Sequence, residues 1–163
     1  MEYLQVFDDD KNMLYEKIAR SNKHDLESCK NFMIVLLFIE NSEGKFLMQK
    51  TSKAKGSVIA TTGGHVTYGD DGITTVLKEA KEELDLDLSK EEVKYISTVK
   101  YPGAFCEVYY TKKDVDLDEV ILQESEVESV MWASTKDIEK FIEEETFRKS
   151  NIEPFNMIIN KTN

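Results

Sequence analysis

The longest unbroken run of apolar positions, residues 32–39 (FMIVLLFI), is short and rich in β-branched and large side chains. Such a run reads as a central strand buried on both faces. Ahead of it, YLQVF, the turn-rich DDDKN and MLYEKI read as a hairpin over residues 1–20, followed by about a dozen polar positions expected to form a loop. Behind it, Asn41-Ser42-Glu43-Gly44 turns the chain into a second strand, KFLMQK. Residues 56–72 change character, with five glycines in seventeen positions and threonines between them, the mark of a structured loop. Further strands are expected at about 94–100, 105–111 and 126–132. Ser134-x-x-Asp137 makes a capping box that opens a helix, and a last helix or extended tail covers about 143–159. Strands and helices interleave without a regular βαβ rhythm. The pattern therefore predicts an α/β (α+β) chain, a mixed sheet flanked by helices on both faces.

Residues 71–84 carry the period of a helix. Ile73, Val76, Leu77, Ala80 and Leu84 fall on one stripe that packs on the sheet. Glu79, Glu82 and Glu83 fall together on another face, where spacings of three and four bring like charges side by side at a cost of a few tenths of a kcal/mol per pair. Lys78 and Lys81 lie elsewhere on the wheel and offset this only in part. Two readings of the glutamates stay open on periodicity alone: a solvated acidic face, or three carboxylates gathered for a hard divalent cation such as magnesium. The preceding loop, Gly63-Gly64-His65-Val66-Thr67-Tyr68-Gly69-Asp70, bears on the choice. Its glycines allow close backbone approach, and Asp70 and Asp71 suit the positive end of a helix dipole.

Composition narrows the function classes. The chain has 163 residues, enough for one domain with a real core, with 40% apolar and 33% charged residues. No linker or repeat divides it, and its prolines are two, Pro102 and Pro154. The N-terminus lacks the form of a signal peptide, and no apolar run approaches the ~20 residues a bilayer requires. Cys29 and Cys106 stand far apart and read as reduced thiols of a cytoplasmic protein. The net charge of −11 argues against a nucleic-acid partner, as the short apolar runs argue against a membrane. It also means that a phosphorylated small substrate has to be met by a local cation.

The segment from Gly64 to Leu86 resembles the Nudix box, G-x5-E-x7-R-E-U-x-E-E-x-G-U, where U is a bulky apolar residue. Gly64, Glu79, Glu82 and Glu83 match fixed positions outright, and the spacing holds throughout. Asp70 stands for a glutamate, Lys78 for the arginine, Ala80 at the first U, and Asp85 for the final glycine. Lys78 replaces a planar fork with a point charge, whereas Asp85 tolerates a left-handed turn better than most residues. Outside the box (64–86), QKTSKAKG resembles the basic segment preceding it in the family, and VESVMWAS resembles the family's strand ending in Trp. The N-terminal hairpin (1–20) is similar to that of Nudix proteins related to isopentenyl-diphosphate isomerase.

The resemblance implies one Nudix hydrolase domain over 1–163, an α/β/α sandwich that cleaves a diphosphate bond by water attack with magnesium, or manganese in its place. The substrate implied is a nucleoside diphosphate linked to another moiety, or a similar small organic diphosphate. Glu79 and Glu83 are the expected metal ligands, Glu82 a third ligand or the base, and the Gly64 carbonyl completes the shell. Glu126 is the candidate for an additional acidic residue, with Glu124 next. Lys50, Lys53, Lys55 and Lys78 are candidates for phosphate binding. His65 is expected to pack or to orient the loop, and His24 to be exposed. Tyr68, Tyr101 and Phe105 are expected to fill the core rather than stack on a base. Isomerase chemistry needs a cysteine before the glycine-histidine pair, where this chain has Gly63. The other alternative is a nucleotide-binding or sensing module of the same fold without turnover. A monomer or a homodimer fits equally.

Overall fold

Along β3 (Lys30–Glu40), Met33, Val35, Leu37 and Ile39 enter one apolar cluster while Leu36 and Phe38 enter another, all of them buried. That alternation, the period of two of a strand, builds a layer on each side of the sheet. In this computed structural model residues 2–162 are described; Met1 and Asn163, the ends of the expected span 1–163, lie outside them.

Nine strands form one mixed sheet around β3. β1 (Tyr3–Asp8) and β2 (Met13–Ala19) make the N-terminal hairpin, and β1 pairs antiparallel with the start of β3. Asp8 Oδ1 closes the hairpin turn by accepting from the amides of Asp10 and Asn12, each at 2.9 Å. β4 (Phe46–Thr51) carries β5 (Ile59–Ala60), while β6 (Thr62–His65) lies antiparallel beside residues 34–37 of β3. β7 (Lys94–Tyr101) and β8 (Ala104–Lys112) form a hairpin across Pro102-Gly103, β8 running parallel to β3. β9 (Val127–Ala133) pairs with β4.

α1 (Gly72–Leu84) lays Val76, Ala80 and Leu84 on one face of the sheet, with Ile73 and Leu77 at the margin. α2 (Thr135–Glu143) and α3 (Ile152–Thr162) cover the other, bringing Ile138, Phe155 and Ile158 against Phe38 and Phe46. The rings of Phe46 and Phe155 meet edge to face at 5.6 Å. The architecture is therefore the α/β/α sandwich that the chain's pattern predicts. The Ser134–Asp137 capping box is formed.

Two segments differ from expectation. Residues 20–25 form a 3-10 turn rather than open loop. Residues 143–159 are neither one helix nor a tail, because the chain breaks at Glu145, whose φ is 59°. The break lets buried Phe147 bridge to Ile59 before α3 begins. Among the described residues no helix is long and apolar enough to cross a membrane.

Candidate active site

Pairing of β6 with β3 sets the distances at the centre of the site. A Cβ on Gly63 would lie 2.2 Å from the carbonyl oxygen of Val35, and one on Gly64 would lie 2.5 Å from Glu79 Oε1. Gly63 is thus required by close approach to backbone, whereas at Gly64 the approaching group is the end of the Glu79 side chain. The Gly64 backbone is pressed against a carboxylate of α1.

α1 is held at both ends. Asp71 caps it by accepting from the Thr74 amide at 2.9 Å. Asp85, with φ 55° and ψ 35°, closes it in the left-handed region that the family's glycine would occupy. Two residues that depart from the box meet each other, since Lys78 Nζ sits 2.6 Å from Asp70 Oδ2. This ion pair ties the loop to the helix.

The three glutamates are separated by depth. Glu83 is buried, and its Oε1 accepts from the Thr62 hydroxyl, from Gln49 Nε2 at 3.2 Å and from the Gly63 amide at 3.2 Å. Burial nonetheless outweighs these bonds and holds its carboxyl above the ordinary range. Glu79 is half-buried, and burial first, then the charges of Glu83 and Glu82, push it up to about 8. Glu82 is exposed and faces a separate groove with Lys78 and Lys81. The wheel puts all three on one face; the structure keeps Glu79 and Glu83 inward and turns Glu82 outward, about 100° per residue being enough to part neighbours.

A cavity of about 230 Å³ opens beside Glu83, lined also by Gly63, Gly64, His65, Lys55 and Glu126 among others, while Glu79 is not among its lining residues. Glu126 Oε2 lies 3.3 Å from Lys55 Nζ. Of the four lysines expected to meet phosphate, Lys55 lines the cavity, Lys50 pairs with Glu128 at 3.3 Å, Lys53 is exposed and Lys78 is on Asp70. Glu124 is exposed on the loop before β9. His65 is held down to about 4 by burial, with Arg20, Lys23 and Lys55 adding to it. Its ring stands edge-on to Phe32. His24 is exposed. Phe105 is buried and Tyr101 half-buried, but Tyr68 lies 45% exposed, contrary to the core position expected for it.

The donors fit a hard divalent cation. Burial first, and the neighbouring carboxylates of Glu83 and Glu82 after it, raise Glu79 to about 8, so the site is short of positive charge, and the Gly64 backbone lies against Glu79. Among the described residues no three His, Cys, Asp or Glu side chains close into a metal cage. Magnesium suits such an open set, because it keeps waters and takes substrate phosphates as ligands.

Sequence reasoning passes over Gln49 and Thr62, which hold Glu83, and over Arg20 and Arg148, which line the cavity. For the arginines a signal exists: they are the two arginines of the chain, against nineteen lysines.

Comparison with known proteins shows the family and the fold. The family model described as "NUDIX domain" matches residues 30–154. An uncharacterised Nudix hydrolase of Nostoc sp. is 30% identical over 126 residues, covering 72% of this chain and 73% of that protein. A crystal structure from Deinococcus radiodurans superposes with a TM-score of 0.76 at 19% identity, covering 93% of this chain and 94% of that one. A bifunctional NMN adenylyltransferase/ADP ribose pyrophosphatase of Francisella tularensis, complexed with AMP and a manganese ion, superposes with a TM-score of 0.66 at 14% identity over 82% of this chain and 42% of that one.

Proposed function

The chain belongs to the Nudix family, and from that premise we propose that it is a single-domain, magnesium-dependent hydrolase of small organic diphosphates, with Glu79 and Glu83 as its metal ligands. The observation that carries the reading is geometric: Glu79 lies against the Gly64 backbone, and Glu83, one helical turn on, lines a cavity together with Gly63, Gly64 and Glu126. Magnesium and manganese are both oxygen-seeking; the manganese complex of the Francisella protein supports the choice of a divalent cation.

When bound, the cation supplies charge neutralisation for the diphosphate oxygens and makes water more acidic. The protein's own part is positioning. Thr62, Gln49 and the Gly63 amide fix Glu83 Oε1 and so aim the carboxylate. The Gly64 carbonyl adds an oxygen beside Glu79. Glu126, brought to the cavity by β9, stands across from Lys55 and adds a further carboxylate. Glu82, outside the cavity, contributes charge to Glu79. In the reaction a water oxygen bonds to one phosphorus, the bond from that phosphorus to the bridging oxygen breaks, and the water proton leaves to a carboxylate. A cytoplasmic site of action accords with two free thiols, one exposed and one buried.

The test is an assay for both possible products, organic monophosphate and orthophosphate, over a panel of organic diphosphates substituted at one end or at both, with magnesium and with chelator. Magnesium-dependent release from any of them is the expected result. Magnesium binding without release from any would replace this reading with a binding module of the same fold.

A further inference from the structure

The chain carries a net charge of −11 and spends both of its arginines on one cavity. They come from opposite ends of the sequence. Arg20 ends the N-terminal hairpin, its Nη1 3.1 Å from Glu2 Oε1 and its Nη2 3.4 Å from His65 Nδ1. Arg148 lies in the link between α2 and α3. Its amide donates to the Ile59 carbonyl at 2.8 Å and the Ile59 amide donates to Thr146 at 2.8 Å, so this link is pinned to β5. Arg148 Nη2 reaches the Lys55 carbonyl at 3.4 Å. Each guanidinium has five N–H donors, and the partners just named, among the described residues, use two of Arg20's and one of Arg148's. Together with Lys55, three cations from three separate segments face one small space that also holds Glu83 and Glu126.

We propose that Arg20 and Arg148 form a clamp for a terminal phosphate, so that the enzyme acts on diphosphates substituted at one end in preference to those substituted at both. The inference rests on the hydrolase reading given above and narrows its substrate class. A terminal phosphate presents three non-bridging oxygens and close to two charges near neutral pH. A phosphate inside a diester-type diphosphate presents two oxygens and one charge. Planar forks match the former, whose extra oxygen and charge give the second arginine a partner. The cavity volume of about 230 Å³ is below the roughly 300–1,000 Å³ typical of pockets that enclose a whole small-molecule ligand. It suits the diphosphate end alone, with the organic group at the mouth. Among the described residues lining it there is no Phe, Tyr or Trp on which a base would stack inside. Hydrolysis of such a substrate yields orthophosphate and an organic monophosphate.

The experiment uses binding, which does not depend on turnover. A monoalkyl methylenebisphosphonate and its dialkyl counterpart, neither hydrolysable, are titrated calorimetrically into the full chain with magnesium. Wild type is expected to bind the monoalkyl compound at least tenfold more tightly. Arg20→Gln and Arg148→Gln should each weaken that compound by about tenfold to a hundredfold, the scale of a lost charge-assisted pair. Both should leave the dialkyl compound within about threefold, and Arg148→Lys should recover part of the loss. Equal binding of the two compounds by wild type, failure to bind either, or equal loss on both in the variants overturns the clamp. Loss of organic monophosphate formation in Glu83→Gln, measured separately on substrates of both kinds, tests the hydrolase itself. Glu83-dependent hydrolysis with indifferent arginines would therefore reject the clamp alone.

Discussion

Glu83 is surrounded by three donors and still sits above the normal carboxylate range, because hydrogen bonds return only part of the solvation lost on burial. A glutamine there keeps an oxygen for the same donors and removes the charge. Glu83→Gln is therefore expected to fold with an unchanged or higher Tm while magnesium-dependent turnover falls by about three orders of magnitude, several kcal/mol of charge stabilisation being lost. A wild-type rate would remove Glu83 from the metal set. Glu79 makes a pH prediction. Its folded carboxyl titrates at about 8 against an ordinary 4.5, so between these values the folded state holds the extra proton. Its contribution favours folding at low pH and is lost as pH rises through 8. In chelator, the Tm of Glu79→Gln should therefore exceed that of wild type by a margin that widens from pH 5 to 8; a flat margin would contradict a raised Glu79 carboxyl. The paired glycines separate fold from site. Gly63→Ala drives a Cβ into backbone and should cost about 1–3 kcal/mol or more, whereas Gly64→Ala meets the movable end of Glu79 and should lower magnesium affinity with a smaller loss of Tm.

At the scale of the element, α1 was the most legible part of the chain. Its apolar stripe repeats at three and four, and all five stripe residues pack in the cluster shared with Val35, Leu37 and Ile39. Its end was legible too, because an aspartate where the family has glycine tolerates the left-handed turn, and Asp85 adopts it. Replacing Asp85 with valine puts a β-branched side chain at that positive φ and should cost about 1–2 kcal/mol by thermal unfolding, while glycine should be nearly neutral. What the wheel could not give was depth. It places Glu82 with Glu79 and Glu83 by angle, but only β6 and the Gln49 side chain decide which carboxylates are walled in. The same limit applies to Tyr68, aromatic by type but left at the surface beside the hairpin, and to residues 143–159, where pairing with Ile59 overrides helical continuity.

At the scale of the whole molecule, the cavity was illegible for a topological reason: its walls come from the end of the N-terminal hairpin, β3, β4 and the loop after it, β6, α1, the turn before β9 and the α2–α3 link. Periodicity and spacing report neighbours along the chain, and no local pattern joins Arg20 to Arg148. The charge balance, in contrast, was legible from the outset and makes a prediction for the folded whole. A chain at −11 repels itself, and the site adds to this by setting Glu79 near the charges of Glu83 and Glu82. A cation bound there in the folded state alone stabilises by mass action, about 2.7 kcal/mol at a hundred times its Kd. Generic salt relieves the same repulsion only by screening, over a length of about 10 Å at 0.1 M. Magnesium chloride should accordingly raise the Tm well above sodium chloride of matched ionic strength, and Glu83→Gln should shrink that difference towards zero while leaving the sodium response unchanged. Equal responses to the two salts in wild type would mean that the acidic face is merely solvated, and the metal assignment would fall with it.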